Sequence, residues 1–265
     1  MLFPNHLCVI RGGGDLGTGA ALRLNKAGFP VLICDLANPL TVRRTVALSS
    51  AISDAEITVE GVKAKLIKSV DEISNVLAEG SIPVLISETL PNIDRSVVID
   101  ARMLKQTSDT KIADAPLVIG LGPGFVAKKD CHAIIETLRG PRLGRVIWKG
   151  SAEPNTSIPD PVINHTTDRV LRAQADGTVT WDRYIGEVVK VGEILGRVGD
   201  SEVVAPFDGL LRGLILNDIE VDIGTKIGDI DPRGHKVSVN EVSDKALSIG
   251  GGVLEAVFCW LNQTP

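Results

Sequence analysis

Two clusters of residues in this chain have the types and spacing to do chemistry. The first is Gly12-Gly13-Gly14-Asp15-Leu16-Gly17-Thr18, where Gly12, Gly14 and Gly17 match GxGxxG. Such glycines let the backbone approach a phosphate, which the free amides and dipole at the following helix N-terminus favour. Asp35 follows Gly12 by 23 residues, the distance at which an acid meets a ribose diol. Asp15 is a carboxylate inside the loop and would repel a pyrophosphate unless a metal or a base edge met it. The second cluster is Gly120-x-Gly122-Pro123-Gly124, followed by Asp130-Cys131-His132 and Glu136. A thiol of lowered pKa is a nucleophile or a soft-metal ligand. In an extended segment Asp130, His132 and Glu136 share a face; in a helix His132 and Glu136 lie one turn apart.

The expected binding residues are therefore Gly12, Gly13, Gly14, Asp15, Gly17, Thr18, Asp35, Gly122 and Gly124. The expected catalytic residues are Cys131, His132, Asp130 and Glu136. A plainer alternative stays open at each cluster: a tight turn that binds nothing, and a buried cysteine beside a hydrogen-bonded histidine. No four-ligand spacing supports a zinc site. Arg43 and Arg44, and then Arg139, Arg142 and Arg145, are either solvated basic stretches or anion contacts.

These residues need a frame. Residues 6–11 and 31–34 read as buried strands around a helix over 16–27, with Gly28 as its stop. Further apolar strands are expected at 83–86, 97–100 and 117–121, with a hairpin over 57–67 and a helix over 70–78. The alternation predicts an α/β fold, a Rossmann-like parallel-sheet domain over residues 1–165. A Pro-, Ser- and Thr-rich stretch follows at 151–168. Residues 168–236 then carry an internal repeat with a period of 32 residues: Ala173, Asp176, Gly177, Gly192 and Gly196 recur as Ala205, Asp208, Gly209, Gly224 and Gly228. Two copies are too few for a solenoid, so they predict two interlocked hairpin units in a small all-β sandwich. Residues 237–265 read as a helical segment packing back on the first domain. Gly250-Gly251-Gly252 costs about 2–3 kcal/mol inside a helix, which predicts a break there.

Composition bounds the function. The chain has 265 residues, 44% of them hydrophobic, which excludes a disordered chain. Aromatics make up 3% and the net charge is −5, which argues against a nucleic-acid binder. No stretch reaches the roughly 18 apolar residues of a membrane span, and the start lacks a signal-peptide pattern. The scattered cysteines are expected to be reduced thiols in a cytoplasmic protein.

The β repeat resembles biotinyl- and lipoyl-type barrel-sandwich domains, but Gly199-Asp200-Ser201-Glu202 stands at the tip where those carry a lysine. The chain as a whole resembles the YqeB-type accessory proteins of selenium-dependent molybdenum hydroxylases. The motifs that carry this are Val9-Ile10-Arg11-Gly12-Gly13-Gly14-Asp15-Leu16, Arg43-Arg44-Thr45-Val46 and Val97-Val98-Ile99-Asp100-Ala101-Arg102. Asp114-Ala115-Pro116-Leu117, Gly120-Leu121-Gly122-Pro123-Gly124-Phe125, Asp130-Cys131-His132-Ala133 and Gly150-Ser151-Ala152-Glu153-Pro154-Asn155-Thr156 continue the match. It closes on Ile249-Gly250-Gly251-Gly252-Val253-Leu254-Glu255-Ala256. The resemblance implies a maturation factor that binds a nucleotide (NAD-like) or molybdopterin-type cofactor. It further implies a hydroxylase apoprotein as partner and a part in sulfur, selenium or metal handling. It gives the glycine triplet and the loop around Glu153 and Asn155 a share in a composite site, and leaves a homo-oligomer open. Two other classes compete: an NAD(P)-dependent oxidoreductase, although Tyr184 lacks a lysine at Val188, and a non-catalytic adaptor that docks the hydroxylase.

Overall fold

The computed structural model describes residues 1–104, 108–154, 162–163 and 165–263. Two compact units form, one from residues 1–39, 47–155 and 242–265, the other from residues 40–46 and 156–241. Of the 151–168 stretch, 155–161 and 164 lie outside the described residues.

In the first unit the apolar runs become buried strands: β1 (Cys8–Arg11), β2 (Val31–Asp35), β3 (Glu56–Val59), β4 (Val62–Ile67), β5 (Ile82–Ile86), β6 (Val97–Asp100), β7 (Leu117–Leu121), β8 (Ala133–Ile135) and β9 (Val146–Ile147). Near-continuous Val, Ile and Leu, as in β1, β6 and β7, suits strands covered on both faces. They form one nine-stranded sheet in the order β3-β4-β5-β2-β1-β6-β7-β8-β9. Neighbours from β4 to β8 run parallel, and the outer β3 and β9 are antiparallel. The chain steps from β1 to β2, passes to the edge hairpin β3-β4, comes back to β5 between β4 and β2, and then crosses to the other side of β1 with β6. The order reverses there, where Arg11 pairs with Cys34 on one side and Asp100 on the other. In open α/β sheets ligands bind outside the carboxyl ends of strands at such a reversal.

Helix α1 (Asp15–Lys26) makes the β1–β2 crossover, and α2 (Ala51–Asp54) and α3 (Ile73–Ala78) are short. The connections from β6 to β8 contain no α-helix among the described residues. Helix α4 (Asp244–Gln263) packs on α1, β7, β8 and β9 instead. It is continuous through Gly250-Gly251-Gly252, so the predicted break at residues 250–252 is corrected. The glycines let backbones touch: a Cβ on Gly250 would lie 2.3 Å from the Gly19 carbonyl oxygen, and one on Gly252 2.0 Å from that of Gly144. Tertiary packing of this kind outweighs a poor intrinsic propensity.

The second unit contains β10 (Val170–Arg172), β11 (Gly177–Trp181), β12 (Val188–Val189), β13 (Ile194–Val198), β14 (Ser201–Val204), β15 (Gly209–Leu214), β16 (Glu220–Val221) and β17 (Lys226–Asp231). They form two four-stranded antiparallel sheets, β10-β17-β15-β12 and β14-β13-β11-β16, around a core that includes Val179, Leu195, Leu211 and Ile227. The 32-residue repeat appears as a mutual clasp. Asp208 accepts a hydrogen bond from the Val191 N–H at 2.9 Å, and Asp176 accepts one from the Ile223 N–H at 2.7 Å. Gly192 donates to Ala205, and Gly224 to Ala173, each at 2.8 Å. Each copy thus closes the other's turn. In the same unit Arg43 and Arg44 donate to the backbone carbonyls of Glu241 and Leu214.

Candidate functional site

The first glycine loop joins β1 to α1 at the reversal point. Gly12 has φ +96° and donates to the Cys34 carbonyl at 2.8 Å. Gly13 donates to Asp35 Oδ2 at 2.7 Å, while Asp35 Oδ1 accepts from the Leu36 N–H at 2.8 Å. Burial pushes the Asp35 carboxyl above its ordinary value, against the lowering effect of those two N–H groups. The Thr18 hydroxyl donates to Gly13 O at 3.0 Å and accepts from the Leu48 N–H at 2.9 Å, so Thr18 braces the loop from beneath. Gly17 is required for packing, because a Cβ there would lie 1.9 Å from Gly12 O. Gly14 is the N-cap of α1 and offers no side chain to its first amides. Asp15 lies in the first turn of α1, with Ser243 Oγ, which accepts the Ala246 N–H of α4, 3.5 Å from its Oδ2. Negative charge is favourable beside helix N-termini, so Asp15 has a structural post.

Beside this loop lies a charged network with no counterpart in the expected site. The guanidinium of Arg11, the last residue of β1, is buried. Its Nη1 donates to Asp109 Oδ1 at 2.9 Å and to Thr110 Oγ1 at 2.8 Å. Its Nη2 donates to Asp109 Oδ2 at 3.0 Å and to the Glu88 carbonyl at 2.8 Å. Arg102 forks onto Asp100 at 3.1 and 2.7 Å and also reaches Asp109 at 2.6 Å. Asp100 is buried; although burial alone would raise its pKa, hydrogen bonds from Arg102, Ser108 and Thr110 hold the carboxyl below its ordinary value. The sequence signal was a charge at the carboxyl end of a buried run, as in Val9-Ile10-Arg11 and Val98-Ile99-Asp100.

The second glycine cluster is built differently. Gly122 donates to Ile135 O at 2.9 Å. Gly122 and Gly124 both have positive φ, but the chain beyond them enters a turn and then β8, not a helix. They therefore lack the amides of a helix N-terminus, the feature that favours a phosphate at the first loop. Cys131 has no exposure and sits among Val98, Val118, Phe125 and Ile134. Burial pushes its thiol up to about 12, which keeps it protonated and poor as a nucleophile or metal ligand. His132 Nδ1 accepts the Val118 N–H at 2.9 Å, and burial lowers its pKa. Asp130 accepts the Val126 N–H at 2.8 Å. Glu136 is fully buried and accepts the N–H groups of Thr137, Leu138 and Glu153 at 2.8, 2.8 and 2.9 Å. The expected catalytic group Cys131, His132, Asp130 and Glu136 is thus used to hold backbone and fill core. Arg139 pairs with Asp244 and Arg142 with Glu153; Asn155 lies outside the described residues.

Ellman's reagent tests this burial. In the folded protein only Cys259, which is partly exposed, should react within minutes, while Cys8, Cys34 and Cys131 should react only after denaturation. Fast reaction of a second thiol in the native state would contradict the buried assignments.

No family model matches the chain. It is 45% identical over 271 residues to YqeB of Escherichia coli K12, a match covering 99% of this chain and 50% of YqeB. The chain therefore spans about half the length of that curated relative. The likeness supports a YqeB-type family and carries no activity with it. Among solved structures, a succinylglutamate desuccinylase/aspartoacylase from Rhodobacter sphaeroides is 22% identical, covering 24% of this chain and 21% of its own, at a TM-score of 0.22. An aspartoacylase family protein from Mesorhizobium loti is 12% identical over 86% of this chain and 85% of its own, at a TM-score of 0.27. At such TM-scores the two likenesses support no conclusion.

Proposed function

We propose that this chain is the ligand-binding part of an accessory factor for a selenium-dependent molybdenum hydroxylase, and that it holds a nucleotide or a molybdopterin-type cofactor by its phosphate at residues 12–18. The observation that carries this is the start of α1, which has no side-chain cap and is reached through Gly12, Gly13 and Gly14 where the parallel sheet reverses its order. The Gly12 and Gly13 amides bind Cys34 and Asp35, so a phosphate there would be held by the dipole and first turn of α1. Asp35 offers its remaining lone pairs to a ribose diol, and Thr18 with Gly17 fixes the turn. The hydroxylase as partner rests on the resemblance of the ordered motifs, and the likeness to YqeB supports the family in which that role is sought. For the second unit, the two sheets and the clasped repeat support a biotinyl- or lipoyl-like barrel sandwich. The β13–β14 turn at Gly199-Asp200 carries no lysine, so the module serves docking and not a swinging arm. Sulfur or selenium transfer through Cys131 is not part of this proposal, since the thiol is buried and protonated.

That burial favours the adaptor as a second reading, and ligand binding separates the two. Mass spectrometry of small molecules retained on purification, with calorimetry using NAD, ADP and molybdopterin, is the test. Binding of one of them, weakened about tenfold or more by Asp35→Ala, is the expected result for a nucleotide. If none is retained or bound, the cofactor reading is withdrawn in favour of the adaptor.

A further inference from the structure

We propose that Arg11 and Arg102 form a phosphate-binding subsite beside the glycine loop, and that Asp109 occupies it as a built-in substitute for the ligand's phosphate. Arg11 meets Asp109 through both terminal nitrogens, 2.9 Å to Oδ1 and 3.0 Å to Oδ2. This is the forked geometry by which arginine takes carboxylates and phosphates. Arg102 adds a third contact at 2.6 Å. The two partners are unequally placed: the Arg11 side chain is 4% exposed, the Asp109 side chain 59%. A cation fixed below the surface is thus covered by an anion at the surface.

Asp109 is not needed to anchor its own segment. Ser108 and Thr110, on either side, each donate to Asp100 Oδ2 at 2.7 Å. Asp100 also neutralises Arg102 through two contacts. Among the described residues Asp109 is the one carboxylate on Arg11, whose other partners are the Thr110 hydroxyl and the Glu88 carbonyl. Lifting Asp109 away leaves that loop anchored and Arg102 balanced, and it leaves one buried guanidinium without a counter-charge. Such a charge is costly to leave uncompensated, so whatever displaces Asp109 must itself be anionic. A phosphate presents enough oxygens to meet both guanidiniums together.

Position supports the same ligand class. Arg11 immediately precedes Gly12, and a Cβ on Gly12 would lie 3.1 Å from the main-chain nitrogen of Arg102. The two arginines thus flank the first residue of the 12–18 loop in the chain and in the main-chain packing. The inference does not rest on the loop binding a nucleotide, because the arginine pair and its carboxylate are complete without it.

The test is calorimetry with inorganic pyrophosphate at low ionic strength, on the wild type, Asp109→Asn and Asp109→Asn/Arg11→Lys, with thermal melting to confirm folding. If the carboxylate occupies its site for all but a few per cent of the time, removing its charge raises pyrophosphate affinity roughly ten- to a hundredfold. The double variant, which keeps a charge but loses the fork, should lose most of that gain. Equal affinity in wild type and a folded Asp109→Asn variant overturns the proposal and makes the pair a structural tie only. It would leave the glycine-loop reading standing, since wild-type nucleotide binding is measured separately. Should Asp109→Asn not fold, NMR on the wild type decides. Saturating pyrophosphate should shift the backbone amide NMR signals of Ser108, Asp109 and Thr110 as Asp109 is expelled, and unchanged signals there overturn the proposal.

Discussion

Glu136→Ala is expected to lower the folding stability of the first unit by roughly 2–4 kcal/mol, because it removes the acceptor of three backbone donors at once, one buried and two part-buried. The carboxylate is fully buried, with one oxygen on the amides of Thr137 and Leu138 and the other on that of Glu153. Glu136→Gln should cost less than alanine yet remain clearly destabilising, since its amide group turns a donor toward an N–H that needs an acceptor. Urea unfolding of the two variants against wild type makes the measurement. A catalytic carboxylate would behave in the opposite way, with glutamine leaving stability intact. A shift below about 1 kcal/mol for alanine would remove the bracing role assigned to Glu136.

The contrast shows which parts of the fold could be read from the chain. Local grammar was legible: buried strands from β-branched runs, the turn Gly12-Gly13-Gly14 from glycine followed by helix, and the clasp of the second unit from its 32-residue period. What could not be read was which polar groups turn inward. Asp130-Cys131-His132 and Glu136 have the composition of a reactive site, but backbone amides brought in by the fold, such as Glu153 for Glu136 and Val118 for His132, consume their lone pairs. The same blindness works in reverse at Arg11 and Asp109. They are 98 positions apart, and only the placement of β6 beside β1 brings the connection that follows β6 against the end of β1. The position of Asp35 at the end of β2 was legible, but its bond from the Gly13 N–H was not.

The glycine triplet yields the sharpest test of such long-range effects, because adjacent glycines in one helix should respond in opposite directions. At Gly250 a methyl group would lie 2.3 Å from the Gly19 carbonyl oxygen and 2.7 Å from its carbon. Both are main-chain atoms of α1, so relief requires the helices to separate. Overpacking into a rigid neighbour costs 1–3 kcal/mol and sometimes more, and Gly250→Ala is expected at about 3 kcal/mol or above. At Gly251 nothing lies within 4 Å of the added carbon. Gly251→Ala should therefore stabilise by about 1 kcal/mol, the difference in helix propensity. The pair together spans on the order of 4 kcal/mol across one peptide bond, far outside the error of urea or thermal unfolding. If α4 were broken at the triplet, alanine at 251 would gain nothing and alanine at 250 would meet no helix. Similar responses at the two positions would therefore reject the continuous helix and its crossing with α1.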